Sequence, residues 1–318
     1  MRNGLDHAIR RSASGTACGI AAILLWSTTV AVARSLSEQV GPMNAAAAVY
    51  LIAGTASGLC FFKSRDRVRN LVRLPRRYLL GCGSLFVAYM LVLFLGVGVA
   101  RDHRQVLEVG LLNYLWPALT ILLSLYLLDR KAGFLIVPGT LVAVAGVFLV
   151  LTQSVEFSWT SFAANIANNP AAYSLGLAAA CSWALYSNLT RRWAGAEPSG
   201  AVDVFLPVTG TLFLLLATVS GEEGTWKART VAEAVFLGLV TWAAYRLWDV
   251  AMRKGDVVLV AACSYLTPLF STIISCYYLR VAAGGRLWMG CVLIICGSLL
   301  TWWSISERAE PVGGESSA

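Results

Sequence analysis

Apolar runs of 18 or more residues recur along the whole chain, separated by short polar segments. Ten of them can be drawn, at 15–34, 42–62, 78–100, 105–128, 132–152, 171–192, 201–219, 231–252, 257–280 and 285–305. Each is about the length that crosses the hydrocarbon core of a bilayer. An open chain in lipid satisfies its own backbone only as helix. The pattern therefore predicts an all-α membrane protein of ten transmembrane helices. The longest polar segments, 63–77, 153–169 and 220–230, are too short to enclose a core of their own.

One run has an echo. Glu108–Leu128 reads EVGLLNYLWPALTILLSLYLL, and Leu259–Leu279 reads LVAACSYLTPLFSTIISCYYL; setting Pro117 over Pro268 aligns them at a shift of 151. Tyr114 then falls on Tyr265, Leu115 on Leu266, Ser124 on Ser275 and Tyr126 on Tyr277. The register continues without a gap, placing Gly133 on Gly284, Gly139 on Gly290 and Gly146 on Gly297. The opening runs of the two halves, GIAAILLW from Gly19 and GLAAACSW from Gly176, align at a shift of 157, with Trp26 over Trp183. The chain thus divides into one repeat at 15–152 and a second at 171–305, with tails at 1–14 and 306–318. Each repeat holds five spans, and an odd number turns the second upside down relative to the first. Inverted repeats of this kind place a site near the bilayer midplane, in a central cavity where the two units meet, and support alternating access.

Composition agrees with a bilayer environment. The chain is 58% hydrophobic and 13% charged, against about 25% charged in soluble domains. The net charge of +8 points to topology rather than to a nucleic-acid partner, because the basic residues sit in the segments between spans. With the N-terminus inside, 17 of the 25 Lys and Arg residues fall on the inner side and 7 on the outer, with Arg246 inside a span. That bias predicts a multi-pass membrane protein with both termini cytoplasmic. The eight cysteines lie in apolar segments with no metal-ligand spacing and read as core residues. No nucleotide-binding glycine loop, catalytic Ser/His/Asp set or dinucleotide fingerprint is present. An ATP-driven pump, an enzyme, a bound metal and a cofactor are all unexpected.

Candidate chemistry gathers at the broken spans. Proline lacks a backbone donor and clashes with the carbonyl four residues earlier, which belongs to Asn113 before Pro117 and to Ser264 before Pro268. Freed carbonyls beside short polar side chains suit an ammonium group; the competing explanation is a structural kink whose carbonyl is taken up by a Ser or Thr neighbour. Trp26, Tyr89, Tyr114, Trp116, Trp183, Tyr186, Trp242 and Tyr265 lie well inside spans. Their N–H and O–H groups favour a polar cavity over lipid, and several facing one cavity would hold a flat amphipathic molecule; for each alone, core packing competes. Arg246 and Asp249 are spaced to pair on one helix face, and Glu108 sits near the outer end of its span. Gly139, Gly146, Gly290 and Gly297 recur every seven residues, a spacing that allows close helix packing within the chain or across a homodimer.

The segment Ser264-Tyr265-Leu266-Thr267-Pro268-Leu269-Phe270, followed by Gly290 and Gly297, resembles the fourth-helix "TPLF" pattern of the drug/metabolite transporter superfamily, EamA type. The resemblance covers residues 15–305. It implies ten helices as two inverted five-helix units around a central cavity. The first copy departs from the pattern with Asn113-Tyr114-Leu115-Trp116-Pro117, a variant that resembles the family's aromatic amino-acid exporters. That likeness implies export of Phe, Tyr and Trp, with flat aromatic compounds as further cargo. The acidic residue that usually follows the fourth helix is kept in kind only as Asp129, so no role is carried from it. On this reading Asn113, Tyr114, Trp116, Trp183 and Tyr89 hold the cargo, and Trp242, Tyr186, Tyr265, Trp26 and Ser264 stand behind them. Pro117 and Pro268 break the helices that rock. An exporter of another small metabolite and a channel-like permease are the alternatives.

Overall fold

The computed structural model describes residues 2–62, 69, 71, 73–152, 157–194, 200–279 and 284–306. Residues 307–318 of the expected tail, and the side chains of Ser275 and Tyr277, lie outside the described residues. Every regular element among the described residues is a helix. In chain order these are α1 (Arg2–Ser27), α2 (Thr29–Val40), α3 (Pro42–Phe62), α4 (Arg77–Gly98, its first turns π-wound), α5 (His103–Asn113), α6 (Trp116–Leu127) and α7 (Ile136–Leu151). They continue with α8 (Trp159–Asn168), α9 (Pro170–Trp193), α10 (Val202–Ser220), α11 (Ala228–Lys254), α12 (Val257–Ser264), α13 (Leu266–Leu279) and α14 (Gly285–Ser306).

Among the described residues, six spans are long and apolar enough to cross a membrane, with α5 and α6 counted together as His103–Leu127. The pair α1–α2 adds a seventh that bends by 47°. The expected straight run at 15–34 is therefore broken, and its polar residues explain why. Ser27 Oγ donates to the Ile23 carbonyl at 2.8 Å, Thr28 Oγ1 to Leu25 at 2.7 Å and Thr29 Oγ1 to Trp26 at 2.7 Å. Three consecutive hydroxyls that bond back to the preceding turn compete with the amide ladder and bend the helix. The polar segment at 153–169 also gains structure: Ser158 Oγ accepts from Ser161 N and starts α8. Phe162 and Ile166 of α8 then pack on Val109 and Tyr173.

The helices pack in pairs: α7 with α14, α3 with α10, α1 with α11, α4 with α9, and α6 with both α9 and α12. The bundle has one face where α1 starts and α14 ends (the termini face). On it Gly133 N bonds the Ser304 carbonyl at 3.0 Å. The turn between α2 and α3 marks the far face. One core cluster spans α1, α3, α4, α9, α10 and α11, and a second spans α6, α7, α12, α13 and α14. Large apolar side chains such as Phe134, Leu141 and Val219 point outward, the surface expected of a chain solvated by lipid tails.

The closest approach is between α7 and α14, and it depends on the heptad-spaced glycines. A methyl group added at Gly297 would lie 2.6 Å from the Gly139 carbonyl, and one at Gly290 would lie 2.9 Å from the Gly146 carbonyl. These four glycines meet one another inside a single chain. Without water to expel, helices in lipid gain by close van der Waals contact, which small residues permit. Gly297→Ala should therefore cost about 1–3 kcal/mol through overpacking, seen as a lowered thermal midpoint in detergent. Gly58→Ala, inside α3 with open space around it, should leave the midpoint unchanged or raise it slightly.

Candidate functional site

The first proline-broken span separates into α5 and α6 at Tyr114–Leu115, where the Leu115 amide turns to the Leu112 carbonyl at 3.1 Å. The second breaks at Tyr265, whose amide turns to the Ala262 carbonyl at 3.3 Å. Pro117 then occupies the first turn of α6, where a missing donor costs nothing. The first break puts Trp116 at the start of α6, buried and directed at α9.

Trp183 of α9 is the hub of what gathers there. Its ring centroid lies 4.7 Å from Tyr89, 5.1 Å from Tyr186, 5.8 Å from Tyr245 and 5.8 Å from Trp248. Trp26, Trp116 and Phe86 stand at 6.0, 6.2 and 6.2 Å. Trp248 closes the ring, 5.2 Å from Trp26 and 5.5 Å from Trp116. Five helices, α1, α4, α6, α9 and α11, each contribute. Most pairs meet edge-on or tilted, the geometry that aligns ring edges with ring faces and adds about 0.5–1.5 kcal/mol per pair beyond burial.

Polar atoms are set among these rings. Asn113 Oδ1 and the Trp248 indole nitrogen are buried and find no hydrogen-bond partner among the described residues, with Tyr89 beside the Asn113 amide and Thr190 beside the Tyr186 hydroxyl. An unmet buried polar group costs about 1–3 kcal/mol. An acceptor and an indole donor held unmet against aromatic faces fit a ligand that carries a flat ring and both a donor and an acceptor. A cleft of about 180 Å³ runs from the far face down to this cluster. Trp26, Tyr50 and Tyr245 lie at its deep end, with Thr29, Ser37 and Thr241 along its sides.

Of the expected residues, Trp26, Tyr89, Trp116, Trp183 and Tyr186 come together, with Asn113 at their edge. Four others lie apart. Tyr114 faces an apolar crevice of about 190 Å³ with Leu115, Phe148, Phe157 and Trp159. Ser264 donates to the Val260 carbonyl at 2.8 Å, and Tyr265 is buried in the second core cluster. Trp242 of α11 packs at the border of the first core cluster without a ring contact to Trp183, and the Arg246 guanidinium sits 5.2 Å from its ring centroid. Phe86, Tyr245 and Trp248 were not anticipated. Tyr245 and Trp248 are one turn apart on α11, but Trp242 marks a competing face, and periodicity alone does not say which face turns inward.

The expected pairing of Arg246 with Asp249 is not formed. Asp203 reaches Arg246 from α10 at 3.6 Å, and Asp249 is taken by Arg253 one turn later at 2.8 Å. A cross-helix carboxylate and the i,i+4 geometry both outcompete the i,i+3 pair. Glu108 is fully buried and accepts from Tyr173 Oη and from Asn165 Nδ2 (3.0 Å), with Arg104 at 3.7 Å. It ties α5 to α8 and α9.

An all-helical, lipid-solvated bundle with an enclosed aromatic cluster at a helix break defines a small-molecule membrane transporter. The profile of the EamA-like transporter family matches residues 13–152 and 170–303, and the chain belongs to that family. It is 34% identical over 288 residues, covering 90% of this chain and 96% of the relative, to the aromatic amino acid exporter YddG of Escherichia coli (strain K12). Its identity to the protein of the same name from Salmonella typhimurium is 34% over 298 residues, covering 93% of this chain and 99% of the relative. A crystal structure 28% identical in sequence superposes with a TM-score of 0.78, covering 94% of this chain and 100% of the other.

The hub yields a direct test. Trp183→Ala should destabilise the protein by about 3–5 kcal/mol and flatten the near-ultraviolet circular dichroism of the coupled rings. The exposed Trp288→Ala should do neither.

Proposed function

We propose that this protein is a secondary exporter of aromatic amino acids, Phe, Tyr and Trp, working by alternating access. The observation that carries the reading is the Trp183 hub, where rings from both halves of the chain converge beside the unmet Asn113 oxygen. The ring faces stack the cargo side chain, and Asn113 Oδ1 accepts from its ammonium group. The indole N–H of Trp248 serves the carboxylate. Tyr89, Trp116, Tyr186 and Trp26 complete the ring-binding set; Tyr245 and Trp248 join them. The names of the relatives supply the cargo class.

The architecture we propose is ten transmembrane helices as two inverted five-helix units, 15–152 and 171–305. Helix neighbours support it, because the repeat exchanges them: α1 on α11 becomes α9 on α4, while α3–α10 and α7–α14 map onto themselves. Gly139 against Gly297 likewise maps onto Gly290 against Gly146. The charge bias supports a termini face in the cytoplasm of a bacterial cell, with the protein in the inner membrane. The cleft then opens to the outside, the side on which an exporter releases its cargo.

Radiolabelled tryptophan flux in proteoliposomes tests the cargo. We expect saturable flux, blocked by phenylalanine far more strongly than by leucine. Losing one stacking ring removes about 0.5–1.5 kcal/mol, a loss of apparent affinity of up to roughly tenfold in Trp116→Ala. Asn113→Ala should weaken binding of amino acids while sparing an analogue that lacks the ammonium group. No tryptophan flux at all would sink the cargo assignment.

A further inference from the structure

Beneath the hub, toward the termini face, lies a buried polar group of which the aromatic site uses only Tyr186. Trp183, Tyr186, Ser187 and Thr190 follow one another at helical spacing on one face of α9. The hydroxyls of Tyr186, Ser187 and Thr190 are all buried; Thr190 lies beside Tyr186 and Cys82, and the Ser187 hydroxyl finds no hydrogen-bond partner among the described residues. Cys82 of α4 lies fully buried beside Thr190. A run of polar side chains along one buried helix face, in a protein solvated by lipid, is more than apolar packing requires.

A compact set of bonds closes this region at the termini face. Asp249 Oδ1 accepts from Tyr78 Oη at 2.6 Å, and Asp249 Oδ2 accepts from Arg253 Nε at 2.8 Å. Both members of the ion pair are 3% exposed. Tyr78 Oη in turn accepts from the Ala201 amide at 3.0 Å, and Arg191 Nη1 donates to the Arg253 carbonyl at 2.6 Å. Four segments are thereby tied: the start of α4, the end of α9, the start of α10 and the end of α11. Tyr78 comes from the first half of the chain, Asp249 and Arg253 from the second. Asp249 also follows Trp248 directly, so movement of the pair is transmitted to the hub.

We propose that Tyr78, Asp249 and Arg253 form the latch that keeps the inner half of the cargo path shut, and that Cys82, Tyr186, Ser187 and Thr190 line that half. On the far-face side of the hub a cleft remains, although Ser35 and Gln39 also bond Glu233 there; on the termini side Tyr78 bonds Asp249 and Ala201 directly beneath the hub. When the latch parts, α4 and α11 separate, and the α9 hydroxyls meet water and the zwitterion entering from inside. These are positioning residues. They set which face is open rather than selecting the ring of the cargo. The inference rests on the alternating-access reading given above.

Cys82 is a native reporter. Full-length protein in proteoliposomes would be treated with N-ethylmaleimide and the labelled cysteines mapped by peptide mass spectrometry. Tyr78→Phe, which leaves the Asp249–Arg253 pair intact, should raise the Cys82 labelling rate about tenfold, and Asp249→Asn should raise it further. Cys291, buried in the second core cluster, should stay unreactive in both. Unchanged Cys82 labelling in the folded variants would overturn the latch. A parallel rise at Cys291 would overturn it too, because the bonds would then only hold the fold together. The labelling needs no cargo, so a failure of tryptophan flux would sink the cargo assignment and leave this test standing.

Discussion

In lipid every backbone amide must find its partner inside the protein, and the rest of this structure follows from that constraint. It makes every regular element among the described residues a helix. It also confines departures from helix to places that other helices cover. The three departures within spans, at Ser27–Thr28, Tyr114–Leu115 and Tyr265, are each repaired locally. Hydroxyls take up carbonyls at the first, and the amide turns to the third residue back at the other two. Ser27 Oγ also approaches the Thr267 carbonyl at 3.4 Å, so the bend of α1 touches the break between α12 and α13. Irregular backbone is gathered at mid-depth, where binding chemistry needs exposed polar atoms.

Two kinds of packing share the bundle. Between α7 and α14, glycines bring backbones into contact, and that pair holds as a rigid spine. Around Trp183, large rings from five helices meet edge to face, with the Trp248 indole nitrogen and Asn113 Oδ1 unmet among them. The first kind leaves little room between backbones. The second keeps unmet polar atoms, and a ligand with a flat ring and two charged ends can exchange its contacts for those the rings make with one another. The difference is one of chemistry: glycine contact is satisfied as it stands, whereas an indole N–H or an amide oxygen in a dry interior is not.

Charge is sparse inside the bundle and is tied at its ends. Glu108 joins α5 to α8 and α9 near the far face, and Asp249 joins α11 to α4 near the termini face. Both carboxylates are buried with several donors each, the condition under which a buried charge is tolerable. The aromatic cluster lies between these two belts. Its access from either side is thus governed by polar bonds at the ends rather than by the rings themselves.

Much of this was legible in the chain alone. The lengths of the apolar runs dictate spanning helices. The ungapped register from Pro117/Pro268 to Gly146/Gly297 marks the two halves and the helices that touch most closely. Trp26, Tyr89, Trp116, Trp183 and Tyr186 could be chosen because interior aromatics with polar tips seldom face lipid. What the sequence could not supply is rotation about each helix axis. Trp242 and Trp248 are both interior tryptophans on α11, and periodicity treats them alike; only packing against α1, α6 and α9 turns Trp248 inward and leaves Trp242 beneath Arg246. The same holds for Asp249, whose neighbours three and four residues away both offer a charge. The choice of Arg253 over Arg246 was made by Asp203 and Tyr78, which are distant in the chain and adjacent only in the fold. Local spacing sets which partners are reachable, and the tertiary structure selects among them, because burial penalises every polar group left without one.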